Sequence, residues 1–445
     1  MHEIAALHDP AQALLTAADK AGADAADVLI SYSEGLDLRN HQGEVDQINS
    51  SQELEFGLRV LVGSRQALVS GSDLRRETLE TMAEAAVARA KKVPENEWLG
   101  LPDPEPSLAD DLDLLDPNPP SQDWLVEQVN AMHDIVMGHD AISGTEGSSA
   151  GLYRQQMILA NSKGFLAQEE SSRASLSIAA LAGTGEALVL DYDYHSACHL
   201  EDLRSAEAIA QRAAERAAAK LGGRPVAGGA VPVIFSNRVA PGLIASLVAA
   251  TNGRSIVQRT SFLTDKLGAL LLPEAFSLLD QPDVPRGLAS MAFDAEGQRP
   301  EALAIIEAGR LNRWLTDWST ARQLAVENSK RAQRSPASAP SPSQSNILVQ
   351  GPSESLADLI GDIQDGFYIT EMMGQGLNPV TGDYSRGADG FWIRNGALAE
   401  PVQGMTVAGE LLAMLATMRM ADDAEPGRSI SCGALRIEGM RVAGV

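Results

Sequence analysis

Twice before residue 225 the chain runs one local pattern: a helical apolar stripe, alternating runs broken at glycine turns, then a second helical stripe. A segment that keeps a period near 3.6 folds as a helix with one buried face, and a period of 2 gives a half-buried strand. Helix–meander–helix, repeated, therefore restricts this part of the chain to antiparallel sheets faced by helices. In the first copy, residues 9–22 carry Ala11, Leu14, Leu15 and Ala18 on one stripe, and residues 28–32 read as a strand. A meander continues through Leu36, Leu38, Leu54, Phe56, Leu58, Val60, Ala67 and Val69, turning at Gly43 and Gly63. Ser72 or Asp73 then caps a helix to about Lys92. In the second copy Ser121 or Asp123 opens a helix with Leu125, Val129, Met132 and Val136 in phase. Strands over 150–194 break at Asn161-Ser-Lys-Gly and Gly183-Thr-Gly, and an Ala-rich helix over about 200–221 closes the copy.

Beyond residue 228 the signals change to short strands with glycine turns. They include 231–235, 302–307 returning over 311–316, 366–372, and 390–393 turning at Asn395-Gly into 397–400. Helices are expected near 239–251, 353–365 and 407–418. The expected fold class is α+β: duplicated N-terminal α/β units with antiparallel sheets, then a mainly β C-terminal domain carrying a few helices. The expected division is 1–95, a Pro/Asp-rich linker over 96–121, a second unit over 122–225, and 228–445. Residues 329–345 (SKRAQRSPASAPSPSQS) are low in complexity and read as a mobile loop.

The net charge of −25 excludes sequence-independent nucleic-acid binding, which needs dense Lys and Arg, and docking on anionic membranes. About half of it lies in residues 94–153, which hold acidic residues but no Lys or Arg and read as a solvated face. No apolar run approaches the length of a membrane span, and the first residues lack the basic and apolar regions of a signal peptide. The two cysteines, Cys198 and Cys432, rule out a disulfide framework, so a cytoplasmic location is expected.

All seven histidines lie at or before His199. His195 and His199 have the spacing of a zinc-binding helix, but Ser196 stands where the general base would be, and the flanking Asp191-Tyr-Asp-Tyr alternates like a strand. Residues four apart in a strand are roughly 13 Å apart, too far to share one zinc. Cys198 has no visible activator. The densest polar block is 371–392 (EMMGQGLNPVTGDYSRGADGFW). Asn378-Pro and Thr381-Gly-Asp are turn chemistry, after which Ser385 and Arg386 re-enter a strand. Arg386 could pair with Asp383 or hold a peptide carboxylate in its bidentate fork. Asn378, Thr381, Asp383, Tyr384, Ser385 and Arg386 are the candidate substrate or interface residues, against the alternative of a demanding structural turn.

That block resembles the C-terminal signature of the TldD/PmbA family, in its PmbA (TldE) branch. Residues 57–66 (GLRVLVGSRQ), 231–235 (VPVIF), 261–268 (SFLTDKLG), 287–297 (GLASMAFDAEG), Pro401-Val, 406–409 (TVAG) and 432–444 agree in order. The resemblance implies a heterodimeric zinc metallopeptidase whose TldD branch carries His-Glu-three residues-His on a helix of the third domain. The counterpart here, 244–251 (IASLVAAT), has neither metal ligand nor general base. The resemblance thus implies a subunit with no catalytic residues, no metal ligands and no cofactor of its own. Zinc would sit in a TldD-like partner, and the pair would process small or unfolded peptides. The alternative is a peptide-binding or homodimeric scaffold, and homodimers are compatible with either. A further alternative is an independent hydrolase using a nucleophile such as Cys198 or Ser385. A link to DNA gyrase, which the family's older description carries, would be indirect.

Overall fold

The computed structural model describes residues 4–105 and 111–444. His2 and residues 106–110 of the Pro/Asp-rich stretch lie outside them. The N-terminal half contains α1 (His8–Ala21), β1 (Ala25–His41), β2 (Glu44–Val62), β3 (Arg65–Gly71), α2 (Arg76–Ala90), α3 (Gln122–Met137), β4 (Ile142–Asn161), β5 (Leu166–Ala182), β6 (Val189–Ala197) and α4 (Ala206–Ala219). Both meanders join one antiparallel sheet in the order β3-β2-β1-β4-β5-β6, because the long β1 pairs with β2 on one side and β4 on the other. Alternation decides which face is buried. Val28, Ile30 and Tyr32 of β1 pack under α1 and α2, and Leu38 packs under α3 and α4. Asp27 and Leu29 point to the opposite face, where the C-terminal half docks at one end.

Two helix starts differ from the sequence expectation. The α2 helix begins after Arg75 rather than at Ser72 or Asp73, and the Asp73 carboxylate instead accepts from the Arg75 amide and the Thr78 hydroxyl. The α4 helix begins only after Ser205, whose hydroxyl caps Ala208, since residues 200–202 form a short 3-10 turn. Ser121 caps α3 as its sequence suggests.

The C-terminal half continues with β7 (Gly229–Phe235), α5 (Ala240–Ala250), α6 (Gly253–Val257), β8 (Ser277–Gln281), β9 (Leu303–Glu307), β10 (Arg310–Leu311), α7 (Trp318–Leu324), β11 (Ala332–Gln333), β12 (Ser341–Pro342) and β13 (Asn346–Gln350). It ends with β14 (Ser353–Glu354), α8 (Leu356–Gly361), β15 (Asp365–Met373), β16 (Asp383–Arg394), β17 (Ala397–Glu410), α9 (Leu411–Leu415), β18 (Arg419–Ala421), β19 (Ile430–Ser431) and β20 (Leu435–Ala443). Strands β7, β15, β16, β17 and β20 close into a ring, since β20 returns to pair with β7. Strands β8, β9, β10, β13 and β19 form a second sheet. Helix α5 lies in the apolar core that the two sheets share. The fold is therefore α+β, with antiparallel sheets and a mainly β C-terminal region.

Three sequence expectations fail in this half. Residues 407–410 are strand, paired with β16, and only Leu411–Leu415 are α-helical. The return strand after Gly309 is two residues long, because the chain leaves β9 at Leu311 to cover α6. The low-complexity stretch 329–345 is not a loose loop but a strap across the joint between the halves. Arg331 is fully buried on Asp280, Arg334 pairs with Asp27 of β1, and β11 pairs with β12. At Gly57 of β2 the strap runs so close that an added Cβ would stand 1.9 Å from the Pro336 carbonyl oxygen. The acidic stretch also packs: Leu101, Leu112 and Leu114 are buried, and Asp113 and Glu105 pair with Arg286 and Lys330.

Candidate functional site

The polar block folds as a tight loop between β15 and β16. Asn378 Oδ1 accepts from the amides of Val380 (2.9 Å) and Thr381 (3.3 Å), and the Thr381 hydroxyl donates to Asp383 Oδ2 at 2.7 Å. Gly376 is pinned against the next strand, since a Cβ there would meet the Ser385 carbonyl oxygen at 1.6 Å. Three of the six candidate residues thus spend their polar atoms on the turn itself. Period-2 alternation separates the rest. Tyr384 is buried in the core and Arg386 shares its face, while Asp383 and Ser385 point the other way. Of the two uses open to Arg386, pairing with Asp383 does not form, because the strand places the two on opposite faces. Arg386 lies instead against the Tyr384 hydroxyl, and its Nε is buried without a hydrogen-bond partner.

Helix α5 is apolar on every buried position: Ala240, Leu243, Ile244, Leu247, Val248 and Ala250. The two hydroxyls in 244–251 serve the helix itself. Ser246 donates to the Gly242 carbonyl at 2.8 Å, and Thr251 to the Val248 carbonyl at 2.6 Å.

His195 and His199 belong to an extended segment, as the alternation suggests, and take separate partners. His195 Nδ1 accepts from the Arg204 amide at 3.1 Å, and burial, aided by the Arg204 charge, pushes its pKa down. His199 Nε2 lies 2.9 Å from the Asp113 carbonyl and 3.2 Å from its carboxylate. Cys198 packs with Leu112 and Leu114, and burial pushes its thiol up. A thiol raised by burial is a poor nucleophile at neutral pH, which argues against the Cys198 hydrolase.

Sequence reasoning missed the joint between the halves. There, Asp27 accepts from Arg59 on β2 and from Arg334 on the strap. Burial alone would raise the Asp27 carboxyl, but the two guanidinium charges outweigh it and hold it below the usual range. Behind them Glu296 is buried with its Oε2 on the Trp318 amide at 2.7 Å. Burial and the neighbouring Asp294 charge push Glu296 up to about 8, and burial pushes Asp294 up to about 6. Beside this cluster lies a cavity of about 410 Å³, walled by β4 and β5, by residues 287–295 and by 332–334. Its residues come from segments more than a hundred positions apart, so no local pattern announces it. Among the described residues, no group of three His, Cys, Asp and Glu side chains could hold a metal ion.

Three family models match in order: PmbA/TldA metallopeptidase domain 1 over residues 26–90, its central domain over 115–221 and its C-terminal domain over 228–444. The chain is 32% identical to the metalloprotease PmbA of Escherichia coli O157:H7, over 95% of this chain and 92% of that one. It belongs to the PmbA/TldD metallopeptidase family. It is similarly 32% identical to the metalloprotease PmbA homolog of Haemophilus influenzae, over 96% of this chain and 94% of that one.

Among solved structures, a protein of Bacteroides thetaiotaomicron described as a modulator of DNA gyrase superposes with a TM-score of 0.91 at 26% identity, over 98% of this chain and 99% of that one. TldE from Thermococcus kodakarensis superposes with a TM-score of 0.87 at 21% identity, over 98% and 100%, and shares the fold. The metal that a metallopeptidase family implies does not fit the α5 segment of this PmbA/TldD family member. Its only oxygen donors are bonded to the helix backbone, and its buried face is hydrocarbon. No helix among the described residues is long and apolar enough to cross a membrane.

Proposed function

We propose that this chain is the subunit without zinc ligands in a TldD/TldE-type peptidase. It completes a cytoplasmic heterodimer with a zinc-bearing, TldD-like partner that cuts small or unfolded peptides. The observation that carries the reading is α5. A catalytic zinc needs three protein ligands to hold it and to activate its water. The α5 segment offers Ile244, Ala245, Ser246, Leu247, Val248, Ala249, Ala250 and Thr251, and no histidine occurs after residue 199. The charge of −25 speaks for an indirect connection to DNA gyrase rather than a DNA contact. In this reading Asn378, Thr381 and Asp383 hold the shape of the 374–382 loop, and Tyr384 and Arg386 brace it from inside. Ser385 then offers its free face to substrate or partner.

The test is metal analysis of the purified chain beside a peptide-cleavage assay with and without a TldD-like subunit. Less than about a tenth of an equivalent of zinc on this chain, and cleavage only in the mixture, is the expected result. One equivalent of zinc held by this chain would overturn the reading. Self-dimers that ignore the TldD-like subunit would favour the scaffold alternative.

A further inference from the structure

The 410 Å³ cavity at the joint is lined by neither α5 nor the 374–382 loop, and its chemistry is specific. Leu29, Met157, Leu159, Met291 and Phe293 give it an apolar body. Residues 169, 171 and 173 of β5 all line it, because alternate residues of a strand share a face. Glu169 is largely buried, and its Oε2 accepts from the Ala292 amide at 3.0 Å. No cation pairs with it among the described residues. Burial pushes its carboxyl up, and the Ala292 N–H offsets only part of that. A largely buried carboxylate without a paired cation favours a ligand that brings one. On the same strand face Arg173 holds the Leu288 carbonyl through Nη2 at 3.0 Å, and no carboxylate pairs with it among the described residues. Its guanidinium fork suits a carboxylate.

Spacing selects the ligand's length. Residues four apart along a strand have their Cα atoms roughly 13 Å apart. A single amino acid, with its two charges a few ångströms apart, cannot touch both groups. A three-residue peptide extends to about 10 Å, and the Glu169 and Arg173 side chains span the remainder.

We propose that this cavity binds a short peptide, about three residues long, with both ends free: its ammonium on Glu169, its carboxylate on Arg173, and its side chains against Met157, Leu159 and Phe293. The peptide-processing function supplies the source of such a ligand, but binding is a property of this chain without partner or metal.

The experiment titrates the purified full chain with Ala-Leu-Ala, with its Nα-acetyl form and with its C-terminal amide, by calorimetry. The free tripeptide should bind at least ~10-fold tighter than either capped form, as expected for a lost charge-assisted hydrogen bond. Glu169→Gln keeps an oxygen for the Ala292 amide, so the fold is retained. It should erase the difference between the free and acetylated forms while leaving the amide penalty in place. Arg173→Met should do the converse. Ser171→Trp, which fills the cavity and leaves both charged residues in the sequence, should remove binding of all three. Equal affinity for the three peptides, no binding of the free tripeptide to the folded chain, or an unchanged profile in Glu169→Gln would overturn the proposal. Those results leave cleavage by the mixed subunits untouched, and zinc on this chain would leave these titrations untouched, so the two readings fail separately.

Discussion

Arg331 has no exposed side-chain surface, although it sits in a run of Ser, Pro and Ala whose composition reads as mobile. Each of its guanidinium nitrogens is bonded: Nε to Asp280 Oδ1 at 2.8 Å, Nη1 to the carbonyls of Ser329 and Lys330, and Nη2 to the carbonyl of Glu301. Asp280 in turn accepts the amide and hydroxyl of Ser345 at the far end of the strap. One ion pair therefore clamps both ends of the stretch 329–345. The partner lies 51 positions away, so neither composition nor period could show it. Breaking a buried pair leaves a charge without compensation and costs about 3 kcal/mol or more. Asp280→Asn should lower the unfolding free energy measured in urea by that amount, with the exposed Asp283→Asn as a control within about 0.5 kcal/mol of the parent. A loss under about 1 kcal/mol in Asp280→Asn would mean that the strap is not held by this pair.

Elements were legible in the sequence where local chemistry decides and illegible where a distant strand decides. Asn395-Gly396 is the local case. Both residues have positive φ, 48° and 77°, the requirement of a two-residue turn that matches strand twist, so the β16–β17 hairpin could be read directly. The apolar α5 is another, since its run of Leu, Ile, Ala and Val reads as a core helix, and Leu243, Ile244, Leu247 and Val248 are buried there. Residues 407–418 are the opposite case. Val407, Leu411, Met414 and Leu415 suit a helix, but pairing of Asp383 with Glu410 and of Gly387 with Thr406 draws the first part into β17. Glu410 then caps the short α9 through the amides of Leu412 and Ala413. The six-residue candidate site divides in the same way. Its turn chemistry was readable, whereas the face on which Arg386 falls depended on where β16 starts.

The hairpin gives a test at the same scale. In Gly396→Ala the new Cβ would meet the Gly361 carbonyl oxygen at 2.5 Å, whereas at Gly63, with φ 57°, nothing lies within 4 Å. Gly63→Ala should cost about 1 kcal/mol, for conformation alone, and Gly396→Ala ~2 kcal/mol or more. Equal losses in thermal unfolding would show that α8 yields to the hairpin instead of bracing it.

At the scale of the whole molecule, the joint between the halves makes stability depend on pH from two directions. Glu425 is held to about 2: burial raises it, but hydrogen bonds from Arg428 and Arg212 outweigh that, and Asp27 is also held low. An acid whose folded pKa is depressed contributes stability above its unfolded value, near 4.5, and loses it as pH falls toward the folded one. Glu296 works in the opposite sense. Its folded pKa of about 8 means that the protonated form is favoured by folding, so its contribution is whole below about 4.5 and is lost as pH rises through 8. Asp294, at about 6, adds to the same alkaline limb. The chain should therefore be most stable near pH 5 and weaken between pH 6 and 8, although its acidic surface alone would predict relief of like-charge repulsion only toward lower pH. Glu296→Gln retains an acceptor for the Trp318 amide while removing the buried charge. It should leave the urea midpoint at pH 5 unchanged and raise it at pH 8, flattening the alkaline limb. A parent midpoint that stays level from pH 5 to 8 would show that Glu296 remains charged within its pocket, carried by Arg59 across the joint.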